Sequence, residues 1–245
     1  MLVLDLAACP TTGKESEGMA SEGKTVEFEA GGKAAGGYLV GASEGEVKPA
    51  LIVIQEWWGL NDHIKDIAGR FADLGYTALA PDLYDGVSTK DPGEAGKLMQ
   101  NLDQNKALAI LNGAVDYLRG LKGVDSNKIG VTGFCMGGTY SLLLACHNKH
   151  IKASAPFYGD IPPDDVLKNL SAPVLFFGAD QDQWINMGKM NKLKEGLSKF
   201  GKEGEVKVYS GVGHAFFNDT RPDAYNKDAA TDAWERVKKF FAAYL

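Results

Sequence analysis

Basic charge, cysteine and histidine are scarce in this chain, and each scarcity removes a class of function. Its 245 residues carry 26 Lys and Arg against 32 Asp and Glu, a net charge of -6. That balance lacks the concentrated basic face on which nucleic-acid binding depends, so no nucleic-acid partner is expected. The three cysteines, Cys9, Cys135 and Cys146, are too scattered for a disulfide framework or for paired Cys-x-x-Cys metal ligands. Such usage suits a reducing compartment. No apolar run approaches the ~20 residues of a membrane helix, and no internal repeat or low-complexity segment stands out. Leu6-Ala7-Ala8-Cys9 has the form of a lipoprotein cleavage box. It lacks a basic start, however, and Asp5 interrupts its apolar run. The expectation is a soluble, cytoplasmic protein that is a monomer or weak homo-oligomer, with no membrane partner, metal or organic cofactor.

What the chain does contain is a 44% hydrophobic content and a regular alternation of strand and helix patterns. Residues 1–23 mix Gly, Ser, Glu and Thr and read as a loosely held arm; residues 24–245 read as a single domain. Val26, Phe28 and Ala30 alternate with polar residues, and Gly31-Gly32 turns the chain into Ala35–Val40, a hairpin pattern. Ala50–Gln55 is a continuous apolar run, as in a central strand covered on both faces. Helical patterns follow at Asn61–Leu74, at about Asn105–Leu121 and at about Tyr225–Ala243, the last with Trp234, Val237, Phe240 and Phe241 on its core face. Between them, Tyr76–Ala80, Ala153–Tyr158, Val174–Phe177 and Val206–Tyr209 read as strands, and the segment after Ala80 as a polar excursion. The pattern predicts a mainly parallel sheet of about eight strands with helices on both faces.

Gly133-Phe134-Cys135-Met136-Gly137-Gly138 lies between an apolar strand pattern, Lys128–Thr132, and a helix-like run, Thr139–Ala145. Strand, sharp turn and helix form a nucleophile elbow, here with cysteine where serine is usual, which predicts a thiol hydrolase on an α/β-hydrolase scaffold. A helix amino end favours a thiolate at Cys135. Among the four histidines, His63 lies in a helical pattern, and His147 and His150 lie at the end of the helix after the elbow. His214 alone follows a late strand through a Gly-rich loop, Ser210-Gly211-Val212-Gly213, which makes it the candidate base. An acid belongs between nucleophile and histidine, and the loop after Val174–Phe177 offers Asp180 and Asp182. Asp182 is preferred because an aliphatic residue, Ile185, follows it after two positions; Asp180 stays open as the alternative, with turn or capping as its plainer role. The loop Gln55-Glu56-Trp57-Trp58-Gly59 should lie beside the elbow, so the backbone N–H groups of Trp57 and Met136 are expected to form an oxyanion hole. Glu56 is the unusual residue, because a buried carboxylate beside a thiol needs a cation or holds a proton.

Gln55-Glu56, Pro81-Asp82-Leu83-Tyr84, the elbow and Gly213-His214-Ala215-Phe216, in that order, resemble the dienelactone hydrolase (carboxymethylenebutenolidase) family from about Thr25 onward. The resemblance implies a Cys135, Asp182, His214 triad, with Glu56 holding a resting, neutral thiol and exchanging partners when substrate binds. Two positions depart from the family. Where well-known members carry carboxylate-binding arginines, this chain has Gly86 and Asn218, with Arg221 three residues further on as a stand-in. Trp58, Tyr84, Phe134 and Trp184 are expected, with Arg221, to bind substrate in an aromatic pocket. The implied substrate is a lactone or activated enol ester, cleaved through a cysteine acyl-enzyme. The alternatives are a general carboxylesterase or thioesterase on small aromatic esters, and an idle α/β-hydrolase domain that binds a ligand or partner.

Overall fold

In a computed structural model, residues 23–245 are described; the expected arm, apart from Gly23, lies outside them, as does Cys9. The strands are β1 (Lys24–Ala30), β2 (Lys33–Val40), β3 (Lys48–Ile54), β4 (Thr77–Pro81), β5 (Val124–Phe134), β6 (Ile151–Phe157), β7 (Val174–Ala179) and β8 (Gly204–Tyr209). The helices are α1 (Asp62–Asp73), α2 (Pro92–Asn101), α3 (Gln104–Gly120), α4 (Met136–His147), α5 (Asp164–Leu167), α6 (Met187–Lys199) and α7 (Lys227–Tyr244). All eight strands join one sheet in the order β1-β2-β4-β3-β5-β6-β7-β8. β1–β2 and β2–β4 pair antiparallel, and every pairing from β4 to β8 is parallel.

The apolar runs explain how helices come to cover both faces. Along β3, Ala50, Ile52 and Ile54 enter the core under α3, α4 and α6, whereas Leu51 and Val53 enter the core under α1 and α7. Successive strand residues point to opposite faces, so an unbroken apolar run serves two cores. α1 answers with Ile64, Ile67, Ala68 and Phe71, one stripe at helical spacing. Its first turn is capped by Asn61, whose Oδ1 accepts the Ile64 N–H at 3.2 Å. Among the described residues no helix is long and apolar enough to cross a membrane.

The expected polar excursion after β4 contains a helix, α2. Its two glycines and single buried residue, Ala95, left no apolar periodicity to read. The local signals were Asp91, whose side chain caps the Glu94 N–H at 2.8 Å, and Pro92 at the first turn. α2 also passes over the loop after β3, bringing Gly96 against the ring of Trp57.

β5 and α4 meet at Cys135 with their backbones in contact. A Cβ on Gly137 would stand 2.3 Å from the Ile54 carbonyl oxygen, and one on Gly133 would stand 2.3 Å from the Gly137 carbonyl oxygen. Backbone cannot retreat as a side chain can, so Gly137→Ala is expected to destabilise the protein by about 3 kcal/mol or more. Urea unfolding at neutral pH checks this; a loss under about 1 kcal/mol would show that the elbow tolerates the methyl group.

Candidate active site

Cys135 occupies the turn between β5 and α4 with φ 55° and ψ -117°, a conformation that a residue with a Cβ rarely adopts. The turn is over-determined: the Cys135 N–H donates to the Phe157 carbonyl at 3.1 Å, and its own carbonyl accepts the Thr139 N–H at 3.2 Å. Its side chain is half-buried. As the first residue of α4, Met136 has a backbone N–H without a partner inside the helix, and the Tyr84 hydroxyl donates to its sulfur at 3.2 Å.

His214, beyond the end of β8, lies within 2.6 Å of Asp182, Nδ1 to Oδ2. Asp182 is fixed in turn by the backbone N–H groups of Trp184 and Ile185, which donate to its Oδ1 at 2.8 and 2.9 Å. Asp180 is engaged elsewhere, accepting the Gly211 N–H at 2.8 Å and so tying the two loops together. Burial opposes ionisation of Asp182, but the His214 bond and the two N–H donors outweigh it and hold its carboxyl below the usual range. Burial likewise opposes charge on His214, yet hydrogen bonds and negative charge from Asp182 and Cys135 push its pKa up to about 10. The indole of Trp184 stands edge-on to the imidazole at 5.0 Å and is itself 68% exposed, so it forms an outer wall.

Glu56 is 1% exposed and accepts a hydrogen bond from Asn218 Nδ2 at 2.6 Å. Burial raises its pKa, against the lowering effects of the Asn218 bond and of the His214 and Arg221 charges. Asn218, where the resemblance implied an arginine, therefore serves the buried acid through a neutral amide. Sequence reasoning could not supply this pairing, since 162 residues separate the partners. Gly86, the other departure, has φ 90° and donates its N–H to Asp82 Oδ2 at 2.5 Å, closing the turn after Tyr84.

The expected aromatic pocket is redistributed. Trp57 and Trp58 pack against each other at 4.8 Å and are both half-buried, and Tyr84 is buried beside Met136. Phe134 departs from expectation: it is 1% exposed, stacks on Phe217 at 5.3 Å and packs against the tilted ring of Phe157 at 4.7 Å, in the core under α1 and α7. Strand alternation gives the reason, because Phe134 ends β5 on the face that packs under α1 and α7. Arg221 lies over the Trp58 ring at 5.7 Å and pairs with Asp223 at 2.7 Å. Trp58 and Arg221 line a groove of about 700 Å³ whose other walls include Lys65, Thr89, Lys90 and Asn218. Cys135 and His214 are not in that wall. His63 does line it; it is buried, 3.4 Å from Asp219, and burial lowers its proton affinity. Tyr158, which sequence reasoning passed over as the end of a strand, is fully buried with its ring 4.9 Å from His214.

Sheet order, elbow and the His214–Asp182 pair together define an α/β hydrolase. Within that class, the model of the dienelactone hydrolase family matches residues 36–245, and the chain belongs to that family. "Protein usf" of Aquifex pyrophilus is 41% identical over 232 residues, covering 91% of this chain and 99% of that protein. A protein of Aquifex aeolicus named "Putative carboxymethylenebutenolidase" is 36% identical, with the same coverage of each chain. The crystal structure of the dienelactone hydrolase-like promiscuous phosphotriesterase P91, from metagenomic libraries, superposes with a TM-score of 0.83 at 24% identity. It covers 92% of this chain and 99% of that one.

The raised pKa of Glu56 has a thermodynamic consequence of definite sign. A folded-state carboxyl above its ordinary value of 4.5 contributes stability that is complete below that value and lost as pH rises through the native one. Glu56→Gln does not titrate, so its stability relative to the wild type should rise from pH 4 to pH 8. Urea midpoints across that range measure it, and parallel curves would mean that Glu56 titrates as an ordinary exposed acid.

Proposed function

We propose that this protein hydrolyses lactones and activated esters through a Cys135 acyl-enzyme. The observation that carries the reading is Cys135 at a strained elbow beside His214, whose far nitrogen is 2.6 Å from the buried Asp182. In this mechanism the Cys135 sulfur attacks the acyl carbon as its proton passes to His214, forming a tetrahedral oxyanion. The N–H groups of Met136 and Trp57 donate to that oxygen. Collapse breaks the bond to the leaving oxygen, which takes the proton from His214; for a lactone this oxygen stays tethered to the acyl chain. Water, losing its proton to His214, then attacks the thioester, and the acid departs as the thiol reforms. Asp182 holds the imidazole in one tautomer and supports its positive form.

The leaving group determines which substrates suit this chemistry. A thiolate that attacks an unactivated alkyl ester is itself the better leaving group and tends to be expelled, whereas an enolate departs readily. The family, and the names of relatives such as the Aquifex aeolicus protein, support an enol lactone as substrate. Tyr84 beside Met136 and Trp184 beside His214 supply aromatic surface at the site, with Trp57 and Trp58 packed on each other in the loop after β3. Arg221, at the groove beyond Trp58, supplies positive charge for a substrate carboxylate; its pairing with Asp223 lies on the exposed rim, where ion pairs exchange at little cost.

Cys135→Ala should abolish turnover of an enol lactone while leaving the unfolding midpoint unchanged, and retained turnover would remove Cys135 as nucleophile. Asp182→Asn should lower kcat/KM by about 10³-fold or more, because the imidazole loses its orienting acceptor. On the wild type, an enol lactone should be turned over much faster than ethyl acetate. Comparable rates on the two would favour a general esterase instead.

A further inference from the structure

The segment from Ala215 to Asn226, which leads from the His214 loop into α7, belongs to neither sheet nor helix. Its backbone closes on itself. The Asn218 N–H donates to the Ala215 carbonyl at 3.0 Å, the Arg221 N–H to the Asn218 carbonyl at 3.1 Å and the Asn226 N–H to the Phe216 carbonyl at 2.9 Å. Side chains attach the segment to its surroundings. Asn218 Nδ2 reaches Glu56, while its Oδ1 accepts the Thr220 N–H and hydroxyl at 3.1 and 2.7 Å, which tightens residues 218–221 into one turn. Arg221 ends that turn, with its guanidinium over the Trp58 ring on the wall of the groove.

Asp219, in the middle of the turn, binds instead to α1. Arg70 Nη2 donates to its Oδ2 at 2.5 Å, and His63 Nδ1 lies 3.4 Å from its Oδ1. His63 and Arg70 are two helical turns apart, so α1 presents both on one face. Arg70 is braced within its own helix by Asp66 at 2.6 Å. The side chains of Arg70 and Asp219 are 36% and 31% exposed, so water screens this pair less than a free surface pair. Burial lowers the proton affinity of His63, which leaves Arg70 as the cation that answers Asp219. The consequence falls on Arg221, which has a carboxylate two residues away on either side. Arg70 occupies the first, Asp219, whereas Asp223 is 69% exposed and can yield its place to a ligand.

We propose that Asp219 is a positioning residue that sets substrate specificity: clamped by Arg70 of α1, it fixes the 218–221 turn so that the Arg221 guanidinium stays on the groove wall over Trp58, available to an anionic group of a substrate. Opening the clamp leaves Asn218 as the one side chain of the turn still hydrogen-bonded to the loop after β3, and Arg221 is then free to swing off the ring. The class favoured by this arrangement is an ester or lactone that carries a carboxylate away from the scissile bond. That choice of ligand rests on the proposed role of Arg221; the placement of Arg221 by Asp219 does not.

Placement is read in the full-length protein labelled with 5-fluorotryptophan, the Trp58 ¹⁹F resonance being assigned by its absence in Trp58→Phe. Arg221→Ala shows where that resonance moves when the guanidinium leaves the ring, and Asp219→Ala should move it the same way. A Trp58 resonance that stays at its wild-type position in Asp219→Ala, or moves oppositely, would overturn the inference. If Asp219→Ala does not fold, Arg70→Ala opens the clamp from α1 and is judged by the same criterion. Specificity is read as the ratio of kcat/KM on a carboxylated enol lactone to that on its uncharged carboxamide. Loss of a negative charge near the groove would by itself raise this ratio. Asp219→Ala should instead lower it about tenfold, chiefly through KM of the carboxylated compound, because a charged donor is misplaced. A ratio that rises or holds in Asp219→Ala while Arg221→Ala lowers it would overturn the inference equally. If Arg221→Ala leaves the ratio unchanged, the carboxylate role of Arg221 fails, and the ¹⁹F shift alone decides the clamp.

Discussion

Backbone packed against backbone at the elbow is the constraint on which the rest depends. Cys135 can hold its left-handed conformation because Gly133 and Gly137 let β5, α4 and the end of β3 approach to contact. The same approach aligns three things at once: the sulfur, the first N–H groups of α4 and the loop that carries Glu56 and Trp57. A site assembled this way has little freedom to relax, and that rigidity is what a transition state of fixed geometry requires. The strain at Cys135, and at Tyr158 with its φ of 39°, is therefore distributed over hydrogen bonds from β6 and β7 rather than stored locally.

The electrostatics of the site follow from placing two carboxylates in different surroundings. Asp182 is supplied with two backbone N–H donors and an imidazole, and stays charged despite burial. Glu56 has a single neutral amide donor, and burial prevails over it and over the His214 and Arg221 charges. Side-chain chemistry alone does not distinguish the two acids; the number of donors does. His214 stands between them, drawing on Asp182 and Cys135 for its high proton affinity.

The sequence made visible those features that rest on local rules. The strand and helix patterns, the elbow and His214 each announce themselves within a dozen residues, and the observed sheet has the expected eight strands. Asp182 was preferred over Asp180 from the register of one loop, and its side chain is the one that meets His214. Four features were hidden, for three separate physical reasons. α2 buries a single alanine and so carries no periodicity. Phe134 looked like pocket lining because it neighbours the nucleophile, although it is the last residue of a strand buried on both faces and so belongs to the core. The Glu56–Asn218 bond and the burial of Tyr158 are products of tertiary packing, with no signature in the residues on either side.

The groove at Trp58 and Arg221 is built from different material than the surroundings of the thiol. Lys65 comes from α1, and Thr89 and Lys90 come from the segment before α2, none of which supplies a reacting group. Changes there leave the elbow packing untouched, whereas changes at Trp58 or Asn218 reach both regions. Descendants of this chain could thus acquire new preferences for the distal part of a substrate by drifting along α1 and the 88–90 segment. The bond-breaking apparatus would be inherited intact.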